Sequence, residues 1–180
     1  DIEGVLMKGC EECPVDTYKT SLGNNDCISC TANSQSPVAS TSDAECLCNA
    51  GYKGFPNACT NCAGGKYQDG VGQTSCKSCP DFTNSAAGSN ELTDCVCVPG
   101  YTGPEGTDYE DCVGGTYKPS SGSAACFNCE NDETTLAVGS LSIDACICNP
   151  GYTLDGGVCV QCGAGTYKYD SGDYPCATCP

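Results

Sequence analysis

The stretch CTNCAGGKYQDGVGQTSCKSC runs from Cys59 to Cys79 and holds two Cys-x-x-Cys pairs with thirteen residues between them. Three chemistries use such pairs. They are a four-thiolate zinc site, a dithiol redox centre and a run of structural disulfides. The rest of the chain decides among them.

Read outward, the stretch is part of an internal repeat. Cys27/Cys30, Cys76/Cys79, Cys126/Cys129 and Cys176/Cys179 are successive copies of one pair, and Cys46/Cys48, Cys95/Cys97 and Cys146/Cys148 of another. The period is 49 to 51 residues, which is the mark of a repeat array. One unit reads C-x2-C-x13-C-x2-C-x15-C-x-C-x10, and the x15 gap lengthens to x16 between Cys129 and Cys146. Other residues recur in step. Tyr18, Tyr67, Tyr117 and Tyr167 each stand five after the second cysteine of a unit. Gly65, Gly115 and Gly165 stand two before the last three of them, with Asp16 in that place in the first unit. Each C-x-C leads into Gly51-Tyr52, Gly100-Tyr101 or Gly151-Tyr152, and a mid-loop glycine recurs at Gly23, Gly72, Gly122 and Gly172. These glycines predict turns with positive φ, and the tyrosine rings are expected to lie across a neighbouring disulfide.

Composition points the same way. The 180 residues include 21 Cys, 23 Gly and 10 Pro, but no Trp, no His, three Phe and one Met. So few large apolar side chains cannot build a core for this length, and small modules in that position rely on covalent staples. The net charge is −16, with seven Lys and no Arg. No basic face for phosphates can be assembled, which excludes nucleic-acid binding. No apolar run approaches the length of a membrane span. The chain opens on Asp1, without a basic-then-apolar leader, as expected of a processed form or a piece of a longer chain. Without His or Arg the usual agents of acid–base and phosphoryl chemistry are missing, so no catalytic residue is expected.

Zinc fits the repeat poorly. Tyr109 stands where the third unit's first cysteine belongs, which leaves three ligands, and every C-x-C goes unused. A redox dithiol needs a helix start that lowers its pKa, and no window shows helical periodicity over three turns. Disulfides remain, and with them an extracellular or cell-surface location reached through the secretory pathway. Two- to four-residue strands are expected around Thr17-Tyr18, Lys66-Tyr67 and Thr116-Tyr117, paired as small hairpins. The Ser/Thr-rich stretch 31–45 and its counterparts, 81–94 and 130–145, read as loops.

The pattern CxxC-xxGTYK…G…CxxCP…S…CxC-xxGY…C resembles the ephrin-receptor-like cysteine-rich repeat. It is also similar to tumour-necrosis-factor-receptor and laminin EGF-like modules. The resemblance spans residues 10 to 180. It implies a small disulfide-rich fold: tandem EGF-like cysteine-rich modules in an elongated rod, with short β-hairpins and almost no helix. The organisation expected is a lead segment 1–9, repeats at 10–58, 59–108 and 109–158, and a partial repeat at 159–180. The family's nearest-neighbour pairing implies Cys13–Cys27, Cys30–Cys46, Cys48–Cys59, Cys62–Cys76, Cys79–Cys95, Cys112–Cys126, Cys129–Cys146, Cys148–Cys159 and Cys162–Cys176. An EGF-type crossing, with Cys13–Cys30 and Cys27–Cys46, is the rival. Both schemes share Cys48–Cys59 and Cys148–Cys159.

Three cysteines are left over. Cys97 lacks its partner because Tyr109 stands there, so it is either free or a competitor for a neighbour's partner such as Cys112. Cys10 and Cys179 lie at opposite ends. Ten residues separate Cys179 of one copy from Cys10 of the next, counted through Pro180 and Asp1–Gly9, and the Cys48–Cys59 loop also encloses ten. A head-to-tail intermolecular bond follows, of the kind that propagates as a filament. The alternative is a stretch of a longer repeat array. Asp108, Glu110 and Asp111 form a weak calcium candidate, against a solvated acidic linker; no other cofactor is implied. Ser34, Ser36, Ser40, Thr41 and Ser42, around Pro37, are candidate O-glycan positions. Two functions survive. One is a non-enzymatic structural protomer of a filament or cell-surface stalk, partnered by copies of itself. The other is a ligand-binding or adhesion segment of a receptor ectodomain, which calls for an exposed aromatic patch; the sequence shows none, the only candidates outside the repeat positions being Phe55, Phe82, Phe127, Tyr169 and Tyr174.

Overall fold

The computed structural model describes residues 11–106 and 109–180. Nine disulfides and ten two-stranded antiparallel hairpins make up the fold, with no α-helix among the described residues. The modules stand in tandem, and no global core gathers them.

Each module begins with the C-x13-C loop. Its hairpin pairs Thr17–Tyr18 with Ile28–Ser29, Lys66–Tyr67 with Lys77–Ser78, Thr116–Tyr117 with Phe127–Asn128, and Thr166–Tyr167 with Ala177–Thr178. The register is the same four times, since the tyrosine always faces the residue after the loop-closing cysteine. Positive φ is required where the pattern has glycine: 74° at Gly65, 82° at Gly115 and 81° at Gly165. Asp16 holds φ 63° at that place in the first module, which aspartate tolerates better than most side chains.

The chain divides into two compact units. One runs through Ser78 and takes in Ser85–Leu92, and the other comprises Cys79–Asn84 and Thr93–Pro180. In the first unit, Ser34–Gln35 pairs with Leu47–Cys48, and Tyr52–Phe55 with Ala58–Asn61. In the second, Thr83–Asn84 pairs with Val96–Cys97, Tyr101–Thr102 with Glu110–Asp111, Glu133–Thr135 with Cys146–Cys148, and Tyr152–Asp155 with Val158–Gln161.

What is buried is largely sulfur. Cys46, Cys62, Cys95, Cys112 and Cys148 are fully enclosed, and of the larger apolar side chains Tyr67 alone joins the described buried core. The Ser/Thr-rich stretches are more ordered than loops. Each contributes a short strand and then a single 3-10 turn, at Asp43–Glu45, Leu92–Asp94 and Ile143–Ala145. The hydroxyl of Ser42 accepts from the Ala44 N–H, and that of Ser142 from the Asp144 N–H. Serine side chains therefore start these turns, in place of the apolar periodicity that marks longer helices.

Several tyrosine rings meet aromatic or cationic side chains. Phe127 packs against Tyr117 at 5.7 Å, and the Lys77 ammonium lies 5.7 Å from the Tyr67 ring centre. Three lysines complete the loops from within. Lys118 is buried, and its Nζ donates to the Tyr101 carbonyl at 2.8 Å and to the Gly122 carbonyl. Lys168 reaches the Gly172 carbonyl, and Lys19 the carbonyls of Gly23 and Asn25. Gln68 takes this place in the second module and donates to the Ser75 carbonyl at 2.5 Å.

Candidate functional site

The structure joins Cys13–Cys27, Cys30–Cys46, Cys48–Cys59, Cys62–Cys76, Cys79–Cys95, Cys112–Cys126, Cys129–Cys146, Cys148–Cys159 and Cys162–Cys176. Every bond closes a loop with its nearest available neighbour, and none crosses another. Cys97 and Cys179 are free thiols, and Cys10 lies outside the described residues.

Cys97 is 2% exposed, and its Sγ lies 3.9 Å from the Gly103 carbonyl oxygen. The hairpin ladder pairs Tyr101 with Asp111 and Thr102 with Glu110 and ends there, so Tyr109 stands one residue beyond it, at the register position opposite Gly103. In the first unit the corresponding ladder sets Cys59 against Gly54, and there Cys59 is bonded to Cys48. Tyr109 thus stands in the place of a bridging sulfur. Its ring turns instead to Phe82 at 5.4 Å and Tyr101 at 6.5 Å, and Phe82 stacks on Tyr101 at 4.4 Å. Phe82 has φ 55°, where Asn33 and Asp132 stand in the other repeats. Asparagine and aspartate visit this region readily and phenylalanine does not. The stacked rings hold it there. Burial and the neighbouring Asp111 carboxylate, which accepts a hydrogen bond from the Tyr101 hydroxyl, push the Tyr101 pKa above the usual tyrosine value.

Cys179 is exposed, and it sits on a module whose outer face differs from the other three. In those three, the following Ser/Thr-rich loop lies back across the hairpin. Lys19, Gln68 and Lys118 donate their backbone N–H to the carbonyls of Ser40, Ser89 and Ser140 at 3.0–3.1 Å. The carbonyls of Cys13, Cys62 and Cys112 accept from Ala39, Gly88 and Gly139, each at 2.8 Å. Asp16 and Gly65 donate to Ser36 and Ser85 at 3.0 Å, while Gly115 donates to the Thr135 hydroxyl at 3.1 Å. In the last module the corresponding groups are the N–H of Lys168, the carbonyl of Cys162 and the N–H of Gly165. None of them has a backbone partner among the described residues.

The surroundings of this face are open as well. A Cβ built on Gly100 would lie 2.5 Å from the Gly139 oxygen, and one on Gly51 would collide with the Gly88 oxygen. Gly151 has the same φ of 83° and meets nothing within 4 Å. Tyr67 is 8% exposed and Tyr167 38%. A cavity of about 360 Å³ beside the thiol is lined by Tyr167, Lys168, Tyr169, Cys179 and Pro180.

The remaining candidate residues are placed as follows. The hydroxyls of Ser34, Ser36 and Ser40 donate to the carbonyls of Thr31, Thr17 and Pro37, and all three residues are buried. Because their hydroxyls hold the loop together, the O-glycan expectation does not suit them; Thr41 and half-buried Ser42 are the members of the cluster that face solvent. Glu110 and Asp111 are exposed on a strand, and Asp108 lies outside the described residues. Cys129, Glu133 and Cys146 bring three donor atoms to metal-binding distance, but the two sulfurs are bonded to each other. The buried lysines were not signalled by the sequence beyond the recurring Tyr-Lys pair.

The chain resembles known proteins over residues 5–146. The family described as tyrosine-protein kinase ephrin type A/B receptor-like matches residues 5–46, 52–95 and 100–146. Ephrin type-B receptor 5 of Gallus gallus is 33% identical over 45 residues, which make up 25% of this chain and 4% of that receptor. With three matched copies spanning more than half of its length, the chain belongs to the ephrin-receptor-like cysteine-rich repeat family.

Proposed function

We propose that the chain is a non-enzymatic extracellular structural protein, a disulfide-laddered rod that serves as protomer of a filament or cell-surface stalk. Its protomers add end to end, and copies of the chain are the neighbours, with Cys179 of one bonded to Cys10 of the next. The observation that carries this reading is the exposed free thiol of Cys179. Disulfide density and family membership support the extracellular location. No helix among the described residues is long and apolar enough to cross a membrane.

Non-reducing electrophoresis and intact mass after thiol alkylation test the reading. A ladder of multiples that collapses to 18.4 kDa on reduction, with a Cys179–Cys10 peptide in the digest, is the expected result. A monomer with alkylated Cys10, Cys97 and Cys179 overturns it. The second reading, a ligand-binding or adhesion segment of a receptor ectodomain, is favoured by the match to ephrin type-B receptor 5. It requires a partner whose binding is lost on changing exposed aromatics such as Tyr169, which is 81% exposed.

A further inference from the structure

Two departures from the repeat meet at one place in the second unit. Tyr109 stands where the other repeats have Cys59 and Cys159, and Phe82 where they have Asn33 and Asp132. The backbone around Phe82 is that of its siblings. Its carbonyl accepts from the Val98 N–H at 2.9 Å, as those of Asn33 and Asp132 accept from Asn49 and Asn149 at 3.0 and 2.8 Å. What differs is the surface. In the third repeat the Tyr152 hydroxyl donates to the Asp132 carboxylate. Here the matching tyrosine, Tyr101, stacks on a phenylalanine ring at 4.4 Å and 20°. Tyr109 meets both rings edge-on. With one face covered by Tyr101, Phe82 is still 50% exposed. An aromatic ring is thus presented to solvent from a backbone φ of 55° that disfavours it.

The charges around the rings are of one sign. Asp111 accepts from the Tyr101 hydroxyl, and a carboxylate has further acceptor sites to offer. Asp81 and Glu110 adjoin Phe82 and Tyr109 in sequence, and both are exposed. Elsewhere the protein sets its own cations near rings: the Lys77 ammonium is 5.7 Å from the Tyr67 centre and that of Lys168 is 4.8 Å from the Tyr174 centre. The lysines of the second unit are Lys118 and Lys168. Both are buried and bound to carbonyls. The second unit therefore has no cation of its own to bring to the Phe82 face.

We infer that the Phe82–Tyr101–Tyr109 cluster is a docking surface for a basic segment of a partner protein, received through an arginine side chain that stacks on Phe82 and pairs with Asp111. A guanidinium is planar and weakly hydrated, so it lies flat on an open ring face while its N–H groups reach a carboxylate. A quaternary ammonium has no N–H for Asp111 and is held best by rings that enclose it; here one ring face is open. The chain contains no arginine, so the occupant belongs to another protein. The inference is independent of end-to-end assembly, since a chain that forms no ladder carries the same surface.

The test titrates the whole protein with capped pentapeptides Gly-Ser-X-Ser-Gly, in which X is arginine, lysine or citrulline, at physiological salt. A single charge per peptide limits attraction to the overall charge of −16, and citrulline keeps the shape of the guanidinium without its charge. NMR of the aromatic protons locates the site and gives the dissociation constant. The arginine peptide is expected to shift the Phe82 and Tyr101 rings saturably. Lysine should bind about threefold or more weakly, and citrulline more weakly still. Phe82→Asn should weaken arginine binding about fivefold or more. That variant leaves the net charge unchanged, and Asn33 holds φ 65° at the same place in the first unit. Asp111→Asn should also weaken it, whereas Phe55→Ser, at an exposed ring of the first unit, should not.

Unchanged arginine binding in Phe82→Asn overturns the inference and reduces the effect to net charge. Equal affinity for the arginine and lysine peptides overturns the guanidinium assignment. Tighter binding of tetramethylammonium than of the arginine peptide also overturns it, in favour of a quaternary ammonium ligand.

Discussion

Replacing Tyr109 by Cys should create a tenth disulfide with Cys97. Residue 109 stands one residue beyond the Thr102–Glu110 pair, at the register position opposite Gly103, and the Cys97 sulfur lies beside the Gly103 carbonyl. The loop closed would enclose residues 98–108, a length close to the ten residues inside Cys48–Cys59. The chain-entropy relation gives about 3 kcal/mol for a loop of that size. The substitution also removes the Tyr109 ring from Phe82 and Tyr101, and each aromatic pair is worth about 0.5–1.5 kcal/mol. The net gain is about 0–2 kcal/mol. Urea unfolding followed by tyrosine fluorescence measures it, and thiol titration in denaturant counts the sulfurs. The expected protein is more stable and has one thiol fewer than the parent. A protein with one thiol more, and lower stability, would refute the assignment of position 109 as the vacated bridge. Tyr109→Ser isolates the ring's share, with a loss in stability and no change in thiol count.

The buried ammonium of Lys118 supports two carbonyls, so Lys118→Met should cost about 2–4 kcal/mol in urea unfolding, and Lys118→Gln clearly less, because Gln68 serves the same place in another module. Gly100→Ala should destabilise by about 3 kcal/mol and Gly151→Ala by about 1–2 kcal/mol, since both sit at φ 83° but only Gly100 faces a carbonyl oxygen. Hydrogen bonds from the Thr41 N–H first, and from its hydroxyl second, hold the Glu45 carboxyl below the usual glutamate value. A depressed folded pKa contributes stability above the unfolded-state value and loses it as pH falls through the folded one. Thr41→Val should accordingly raise the Glu45 midpoint in an NMR titration only partway to normal, the backbone bond remaining.

Cysteine spacing made the repeat legible, and the strands at Thr17–Tyr18, Lys66–Tyr67 and Thr116–Tyr117 follow from it. Glycine spacing located the turns for the same reason: a backbone that needs positive φ leaves a mark in the sequence. Disulfide pairing was not legible from spacing, because local and crossed schemes use the same cysteines; the family resemblance separated them. The buried serines and lysines were hidden for another reason. Ser36, Ser40 and Lys118 belong to residue types that ordinarily face water, and each is drawn inward here by backbone carbonyls that a core-poor module leaves unpaired.

The missing bridge at Cys97 also sets how the chain would carry tension. A pull along the ladder passes from sulfur to sulfur, and each closed loop is withheld from extension. Between Cys95 and Cys112 no such shortcut exists, and Val96–Asp111 must bear the load through hairpin bonds and stacked rings. Those sixteen residues can pay out at most about 55 Å. Force spectroscopy would register them as a single lengthening step, absent in Tyr109→Cys. The second unit thus contains a yielding link between Cys95 and Cys112, placed where a tyrosine took the position of a cysteine.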